Sequence, residues 1–153
     1  MGEVVDRGEP ARYPVVGVGG VVIVEGRIVL VRRAHEPRRG CWSLPGGRLE
    51  LGETLRDGVR RELREETGLD VQVGDLIEAF ERFYYDPEGQ LRFHFVILDY
   101  LCQPVGGVLR AGGDVSAVAL AGEDELARYD LSQTARRIIA RGLAMHRAAH
   151  GAG

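Results

Sequence analysis

The stretch Gly47–Leu69, GRLELGETLRDGVRRELREETGL, decides the fold of this chain and points to its chemistry. Its second half predicts a helix, because Leu55, Val59 and Leu63 place an apolar residue at every fourth position. Gly68 follows as a typical glycine at the end of a helix. The segment therefore predicts an amphipathic helix that begins near residue 54 and ends at Gly68.

Three glutamates of this helix stand close together. At about 100° per residue, Glu62 and Glu66 fall within or beside the apolar stripe, and Glu65 lies to one side. A solvated surface helix would offer pairs such as Arg61–Glu65, worth about 0.2–0.5 kcal/mol each. Two carboxylates roughly 6 Å apart at an effective dielectric constant of about 20 repel each other by about 3 kcal/mol. Because the repulsion is the larger quantity, the pattern favours a site for a hard divalent cation such as Mg²⁺ or Mn²⁺.

The segment before the helix predicts a strand pair followed by a glycine-rich connection. Val15–Val24 and Arg27–Arg33 are apolar runs separated by a two-residue turn, which is typical of a β-hairpin. Pro45, Gly46 and Gly47 predict an irregular backbone with positive φ, a conformation that glycine accepts freely. A phosphate group is a natural ligand for a cation site beside such a connection.

The segment after the helix predicts more strands and a second helix. Val71–Tyr85 and Leu91–Gln103 read as long strands, and Val115–Leu120 as a shorter one. Ser132 is a typical N-cap for a final helix that ends near His150. The order predicts an α/β protein, an α/β/α sandwich in which one helix covers each face of a mixed central sheet.

The composition limits the domain count and the partners. The chain has 153 residues, of which 44% are apolar, so we expect one domain, at residues 13–150. Residues 1–12 are polar and aperiodic, so we expect a flexible arm there. Its net charge of −3 and the lack of a basic tract argue against a nucleic-acid polymer as a partner. No apolar run is long enough for a membrane span and no secretory signal is evident, so we expect no membrane partner and a cytoplasmic location. Cys41 and Cys102 fit neither a disulfide framework nor a zinc site.

Nine positions of the stretch match the signature of the Nudix hydrolase superfamily, Gly-x5-Glu-x7-Arg-Glu-U-x-Glu-Glu-x-Gly-U, where U is apolar. The matching residues are Gly47, Glu53, Arg61, Glu62, Leu63, Glu65, Glu66, Gly68 and Leu69. The flanking strands and the closing helix also resemble Nudix proteins. The resemblance covers nearly the whole chain and implies a Nudix-type α/β/α sandwich.

The resemblance also implies a cofactor and the roles of the site residues. Mg²⁺, which Mn²⁺ can replace, would be bound by Gly46, Gly47, Glu62, Glu65 and Glu66. Glu53 would assist through water and pair with Arg61. The general base in such proteins is a glutamate of the signature, such as Glu65, or an acid on a later loop. Asp114 is the later candidate here, and an ordinary turn aspartate is an equally good interpretation of it.

The substrate expectation rests on a narrower resemblance, to small bacterial ADP-ribose pyrophosphatases. The segments that resemble this subgroup are Arg32–Ala34, Cys41–Ser43, Phe83–Tyr85 and Arg92–Cys102. It implies a small nucleotide substrate, ADP-ribose, which is cleaved to AMP and ribose 5-phosphate.

Aromatic and basic residues of these segments supply candidate substrate contacts. Aromatic residues at strand spacing are more often core, but four of them could stack on the base: Phe83, Tyr84, Phe93 and Phe95. Every one of the twenty Lys and Arg residues is Arg, so guanidinium groups must grip the phosphates. The candidates for that role are Arg32, Arg33 and Arg48, of which Arg48 is preferred because it follows the Gly-Gly turn.

Two other functions stay open at this point. One is a nucleoside triphosphate pyrophosphatase that removes damaged nucleotides. The other is a non-catalytic Nudix-fold ligand sensor, against which the complete set of signature glutamates argues. Nudix proteins are frequently dimers, so the resemblance also raises a homodimer, although no segment of the sequence indicates an interface.

Overall fold

A computed structural model describes residues 12–35 and 38–151 of the chain. Its strands are β1 (Val15–Val24), β2 (Arg27–Arg33), β3 (Trp42–Ser43), β4 (Gly46–Arg48), β5 (Leu69–Tyr85), β6 (Leu91–Gly107) and β7 (Val115–Ala121). Its helices are α1 (Leu55–Thr67), a 3₁₀ helix (Glu123–Tyr129) and α2 (Gln133–His150). The predicted arm at residues 1–12 lies outside the described residues except for Arg12.

The described strands form one mixed sheet in the order β3-β2-β1-β6-β5, with β4 also pairing with β1 and β7 with β2. β1 runs parallel to β6, with Val15 opposite Phe95 and Val22 opposite Cys102. The remaining pairings are antiparallel. The turn between β1 and β2 has positive φ at Glu25 and Gly26, as a tight hairpin turn requires.

A separate core lies on each face of the sheet. Val59 and Leu63 of α1 pack on one face against residues such as Val18 of β1. Ile138 and Ile139 of α2 pack on the other face against residues such as Val21. Successive residues of β1 point to opposite faces, so one strand serves both cores. The arrangement confirms the predicted α/β/α sandwich with a mixed sheet. Neither helix within residues 12–35 and 38–151 has the length and apolarity needed to cross a membrane.

The expected positive φ at the glycine-rich connection is wrong. Gly46 and Gly47 have extended backbones and belong to β4, which pairs antiparallel with β1. Glycine is needed there for lack of space, because a Cβ on Gly46 would collide with the backbone of β1 at Val18. The 3₁₀ helix between β7 and α2 was also missing from the sequence interpretation.

Candidate functional site

Helix α1 begins and ends at residues that fix its position. The side chain of Thr54 accepts a hydrogen bond of 3.1 Å from the backbone N–H of Asp57. Gly68 has a φ of 75°, and its N–H donates to the carbonyl oxygen of Arg64. The two caps fix where α1 starts and where it stops.

Two of the three clustered glutamates are buried. Glu62 and Glu66 have exposed fractions of 9% and 4%, so both lie on the inner face of α1, as the helical projection predicts. Glu65 is exposed. Buried carboxylates are rare unless they are paired or bind a cation.

The two buried glutamates meet the glycine pair of β4. The backbone N–H of Gly46 donates a hydrogen bond of 2.9 Å to Oε1 of Glu66. A Cβ on Gly47 would overlap the carboxylate of Glu62. Any residue larger than glycine at position 47 would therefore displace the side chain of Glu62.

Arg61 connects the start of α1 to this cluster. Its Nε and Nη2 donate to Oε2 and Oε1 of Glu53 at 2.7 Å and 2.9 Å, a bidentate pair. Nη2 also donates to the carbonyl oxygen of Arg48 at 2.9 Å. Nη1 contacts Oε1 of Glu62 at 2.7 Å and Oε2 of Glu65 at 3.4 Å. The structure thus brings Arg61 and Glu53 together, beside the loop that precedes α1.

The pKa values of the glutamates in this cluster are shifted in different directions. Burial raises the pKa of Glu66 to about 7, partly offset by the hydrogen bond from Gly46. Burial also raises the pKa of Glu62, and Arg61 acts in the opposite direction. The hydrogen bond from Arg61 lowers the pKa of Glu53. Of these three glutamates, Glu66 is therefore the one whose charge the fold neutralises least.

This donor set fits a hard divalent cation. Its groups are carboxylate oxygens beside Gly46 and Gly47, where there is no room for a Cβ, and burial raises the pKa of both inner glutamates. Over residues 12–35 and 38–151, no three acidic, histidine or cysteine side chains already converge as a complete ligand set. Glu65 instead lies outward, toward Arg61. The donor chemistry fits, with Glu62 and Glu66 as the inner ligands.

Asp114 lies next to the end of α1. The N–H of Gly112 bonds to the carbonyl oxygen of Glu66 at 3.3 Å, which holds the loop there. The charge of Asp114 contributes to the raised pKa of Glu66. Its Oδ1 lies 4.0 Å from Nε2 of His35. The structure thus brings this predicted residue to the glutamate cluster.

A cavity opens beside the glycine pair, between the sheet and the start of α2. Apolar and aromatic side chains form much of it, together with three arginines and one buried carboxylate. The main lining side chains are Arg33, Arg38, Trp42, Leu44, Phe80, Arg82, Tyr84, Ile97, Asp99 and Ile138. The cavity and the glutamate cluster share Gly46 and Gly47.

One of the four aromatic residues expected to stack on a base lines the cavity, and Phe95, fully buried, does not. Tyr84 does, with its ring edge-on to Phe95. Phe83 is exposed and packs on His94, with ring centroids 4.5 Å apart. Phe93 is buried and stacks on Phe95. Phe83 and Phe93 therefore stand apart from the cavity lining.

Of the three arginines expected to clamp phosphate, Arg33 lines the cavity, and Arg32 and Arg48 stand apart from the lining. Nε of Arg32 donates to Oγ of Ser116 at 2.9 Å, and its guanidinium lies 5.7 Å from the ring centroid of Trp42. Nε of Arg48 is buried without an acceptor among the described residues. The arginines that do line the cavity are Arg33, Arg38 and Arg82.

Sequence reasoning missed Asp99, Trp42, Phe80 and Arg82 as site residues. Asp99 carries a recognisable signal, because it is the single charge in the apolar run Phe95–Cys102 of β6. The alternation of that strand puts Asp99 on the same face as Ile97, which also lines the cavity. Trp42 lies on β3, whereas Phe80 and Arg82 lie on β5, and only the tertiary fold brings these two strands to one cavity.

Comparison with known proteins agrees with this geometry. The NUDIX domain family matches residues 13–142, so the chain belongs to the Nudix hydrolase family. An ADP-ribose pyrophosphatase from Methanocaldococcus jannaschii is 37% identical over 102 residues, 67% of this chain and 58% of that protein. A MutT-like protein from Streptomyces ambofaciens is 41% identical over 125 residues, 81% of this chain and 74% of that protein.

A solved structure shows the same fold. The MutT NUDIX hydrolase from Burkholderia pseudomallei has a TM-score of 0.72 and is 28% identical, and the match covers 85% of this chain and 98% of that one. The fold and the family are therefore established together.

Proposed function

We propose that this protein hydrolyses the pyrophosphate bond of a nucleoside diphosphate linked to a second group, with ADP-ribose as the substrate and AMP and ribose 5-phosphate as the products. The similarity to the ADP-ribose pyrophosphatase of M. jannaschii supports this substrate. The buried carboxylates beside the cavity support the reaction class.

The observation that carries the proposal is the contact between α1 and the glycine pair. Glu62 and Glu66 would hold Mg²⁺, together with Glu65 and a backbone carbonyl of Gly46 or Gly47. Mn²⁺ would serve in its place. A bound divalent cation supplies charge neutralisation of adjacent phosphates and lowers the pKa of water toward neutrality.

The other side chains have positioning and proton-transfer roles. Arg61 holds Glu53 and the carbonyl of Arg48, and so fixes the start of α1 against β4. Asp114 or Glu65 would accept the proton of the attacking water. Both lie next to the glutamate cluster, Asp114 through its charge on Glu66 and Glu65 through its position on α1.

The cavity would hold the nucleoside part of the substrate. Trp42, Phe80 and Tyr84 offer aromatic surface for a base, and Arg33 and Arg38 offer guanidinium groups for phosphate. The scissile bond would then lie near Gly46 and Gly47, where the cavity meets the glutamates.

A substrate panel with identified products tests the proposal. We expect the protein with Mg²⁺ to convert ADP-ribose to AMP and ribose 5-phosphate more efficiently than it cleaves nucleoside triphosphates. Release of pyrophosphate from triphosphates, with ADP-ribose untouched, would assign the triphosphate pyrophosphatase reaction instead. No turnover of either class, with binding retained, would assign a ligand sensor.

A further inference from the structure

Asp99 is a buried carboxylate outside the Nudix signature. It lies on β6 opposite Gly19 of β1 and Glu78 of β5, and its exposed fraction is 6%. A Cβ on Gly19 would come 2.8 Å from Oδ1 of Asp99 and 2.6 Å from the carbonyl oxygen of Pro45. The carboxylate therefore lies over Gly19, beside the loop that leads to Gly46, and it lines the cavity.

The fold gives this carboxylate no hydrogen-bond donor. Among the side-chain hydrogen bonds of residues 12–35 and 38–151, none ends on Asp99, and burial raises its pKa to about 6. Arg82, which also lines the cavity, acts on it only through its charge, and Glu78 opposes that effect. A buried polar group without a partner is costly, so its presence at a cavity wall points to a donor on the ligand.

The cavity-lining side chains around Asp99 indicate which kind of ligand group would donate the hydrogen bond. Phe80, Tyr84 and Ile97 offer flat apolar surface, which suits a planar ring. Phosphate at neutral pH is anionic, so a carboxylate repels it, and phosphate would lie toward Arg33 and Arg38. The exocyclic amino group of a nucleobase supplies such a donor at the edge of a planar ring.

We propose that Asp99 determines base specificity by accepting a hydrogen bond from the exocyclic amino group of the nucleobase. The inference rests on the proposed function only in placing a nucleotide in the cavity. It adds a preference: bases that carry an amino group bind better than the same bases without one.

Binding of nucleoside monophosphates tests this preference without catalysis. Calorimetry would compare AMP with purine riboside 5′-monophosphate, which lacks the 6-amino group, and GMP with IMP, which lacks the 2-amino group. We expect the wild-type protein to bind the amino-bearing member of at least one pair about ten- to a hundredfold more tightly, because the other member leaves the buried acceptor unpaired.

Three variants isolate the side chain. Asp99→Ala should bring the affinities of that pair within about threefold of each other. Asp99→Asn keeps one acceptor oxygen and should stay more selective than Asp99→Ala. Glu78→Gln is the matched control, because it removes a carboxylate from the neighbouring position of β5 outside the cavity lining, and it should keep the wild-type preference.

The outcomes separate this inference from the proposed function. If the wild type prefers the amino-bearing nucleotide and Asp99→Ala abolishes that preference, the role of Asp99 is supported. This holds even if the substrate panel shows no cleavage of ADP-ribose. Equal or undetectable binding of both members of both pairs at millimolar concentration would overturn it. A preference that persists in Asp99→Ala would overturn it too, whatever the panel shows.

Discussion

Two glutamates on opposite faces of the sheet show how this fold treats acidic side chains. Glu78 of β5 accepts hydrogen bonds from Arg137 at 2.6 Å and from Arg141 at 2.5 Å, both on α2. Glu66 of α1 is more deeply buried, and among the described side-chain hydrogen bonds it accepts one, from the backbone N–H of Gly46. One carboxylate is thus paired with two guanidinium groups, and the other is paired with none.

The pKa values of Glu78 and Glu66 reflect this difference in their hydrogen-bond partners. The hydrogen bond from Arg137 lowers the pKa of Glu78, whereas burial raises that of Glu66 to about 7. An arginine stands near Glu66 in the sequence, but Arg61 is directed to Glu53 and Glu62 instead. The charge of Glu78 is thus neutralised by arginines of the protein itself. The charge of Glu66 has no such partner among the described residues, which suits a side chain that binds a cation.

Glu66→Gln should have the largest effect on activity, because it changes the glutamate that the comparison assigns to the cation. We expect a loss in kcat of about a thousandfold, because the variant removes a charge that holds the cation against the phosphates. Glu78→Gln should stay within about threefold of the wild type. The rates of both variants with saturating Mg²⁺, on the substrate that the panel identifies, measure this. Near-normal turnover of Glu66→Gln would refute its role as a ligand.

The same substitution should stabilise the metal-free protein. The ordinary pKa of Glu66 is 4.5 and its folded value is about 7, so the folded state holds a proton that the unfolded chain releases between these pH values. The stability that the wild type draws from this proton is present below pH 4.5 and is lost as the pH rises through about 7. Glu66→Gln should therefore match the wild type near pH 4 and exceed it by about 3 kcal/mol at pH 8.

Urea unfolding in EDTA across this pH range measures the effect. A Glu66→Gln protein that is less stable than the wild type at pH 8 would show that the carboxylate is satisfied within the fold.

Arg61→Ala should lower activity mainly because Arg61 positions Glu53 and β4, and not only because a positive charge is lost. It removes the bidentate pair with Glu53 and the bond to the carbonyl of Arg48, so β4 and the start of α1 lose their connection. We expect kcat to fall about tenfold and the Mg²⁺ requirement to rise. A magnesium titration of turnover measures both. An unchanged rate and an unchanged magnesium midpoint would dismiss this role.

Glu78→Gln should have the smallest effect, of the opposite sign to that of Glu66→Gln. Because the folded pKa of Glu78 is lowered, its stabilisation is present above pH 4.5 and is lost as the pH falls through the folded value. We expect a melting temperature at pH 8 lower by about 2 °C or less, since exposed ion pairs contribute little. The deficit should vanish in acid, and a larger deficit in acid than at pH 8 would contradict this picture.

The sequence predicted the parts of the molecule that local rules determine. Helical spacing placed Glu62 and Glu66 on the buried face, and the caps at Thr54 and Gly68 follow from short-range backbone chemistry. The extended backbone at Gly46 was not predictable, because the need for glycine there comes from the crowding of two strands and not from φ.

The cavity could be predicted much less well than the glutamate cluster. Its lining combines Trp42 of β3, Phe80 of β5 and Asp99 of β6, so its composition depends on the strand order. Strand alternation does not say which face of β5 meets the cavity, and Phe83 proved to lie outside its lining while Phe80 lies within it. Arg48 was preferred for its nearness in sequence to the glycine pair, but of the three candidate arginines the fold brings only Arg33 to the described cavity lining, together with Arg38.

Direct binding of Mn²⁺ tests the central claim, that Glu62 and Glu66 hold a divalent cation against the Gly46-Gly47 strand. Electron paramagnetic resonance of free Mn²⁺, titrated with metal-free protein and without nucleotide, would measure the affinity of the wild type, Glu66→Gln and Glu78→Gln. We predict that the wild type and Glu78→Gln bind the ion with similar affinity and that Glu66→Gln binds it at least about tenfold more weakly. Equal affinity in all three proteins would contradict the claim.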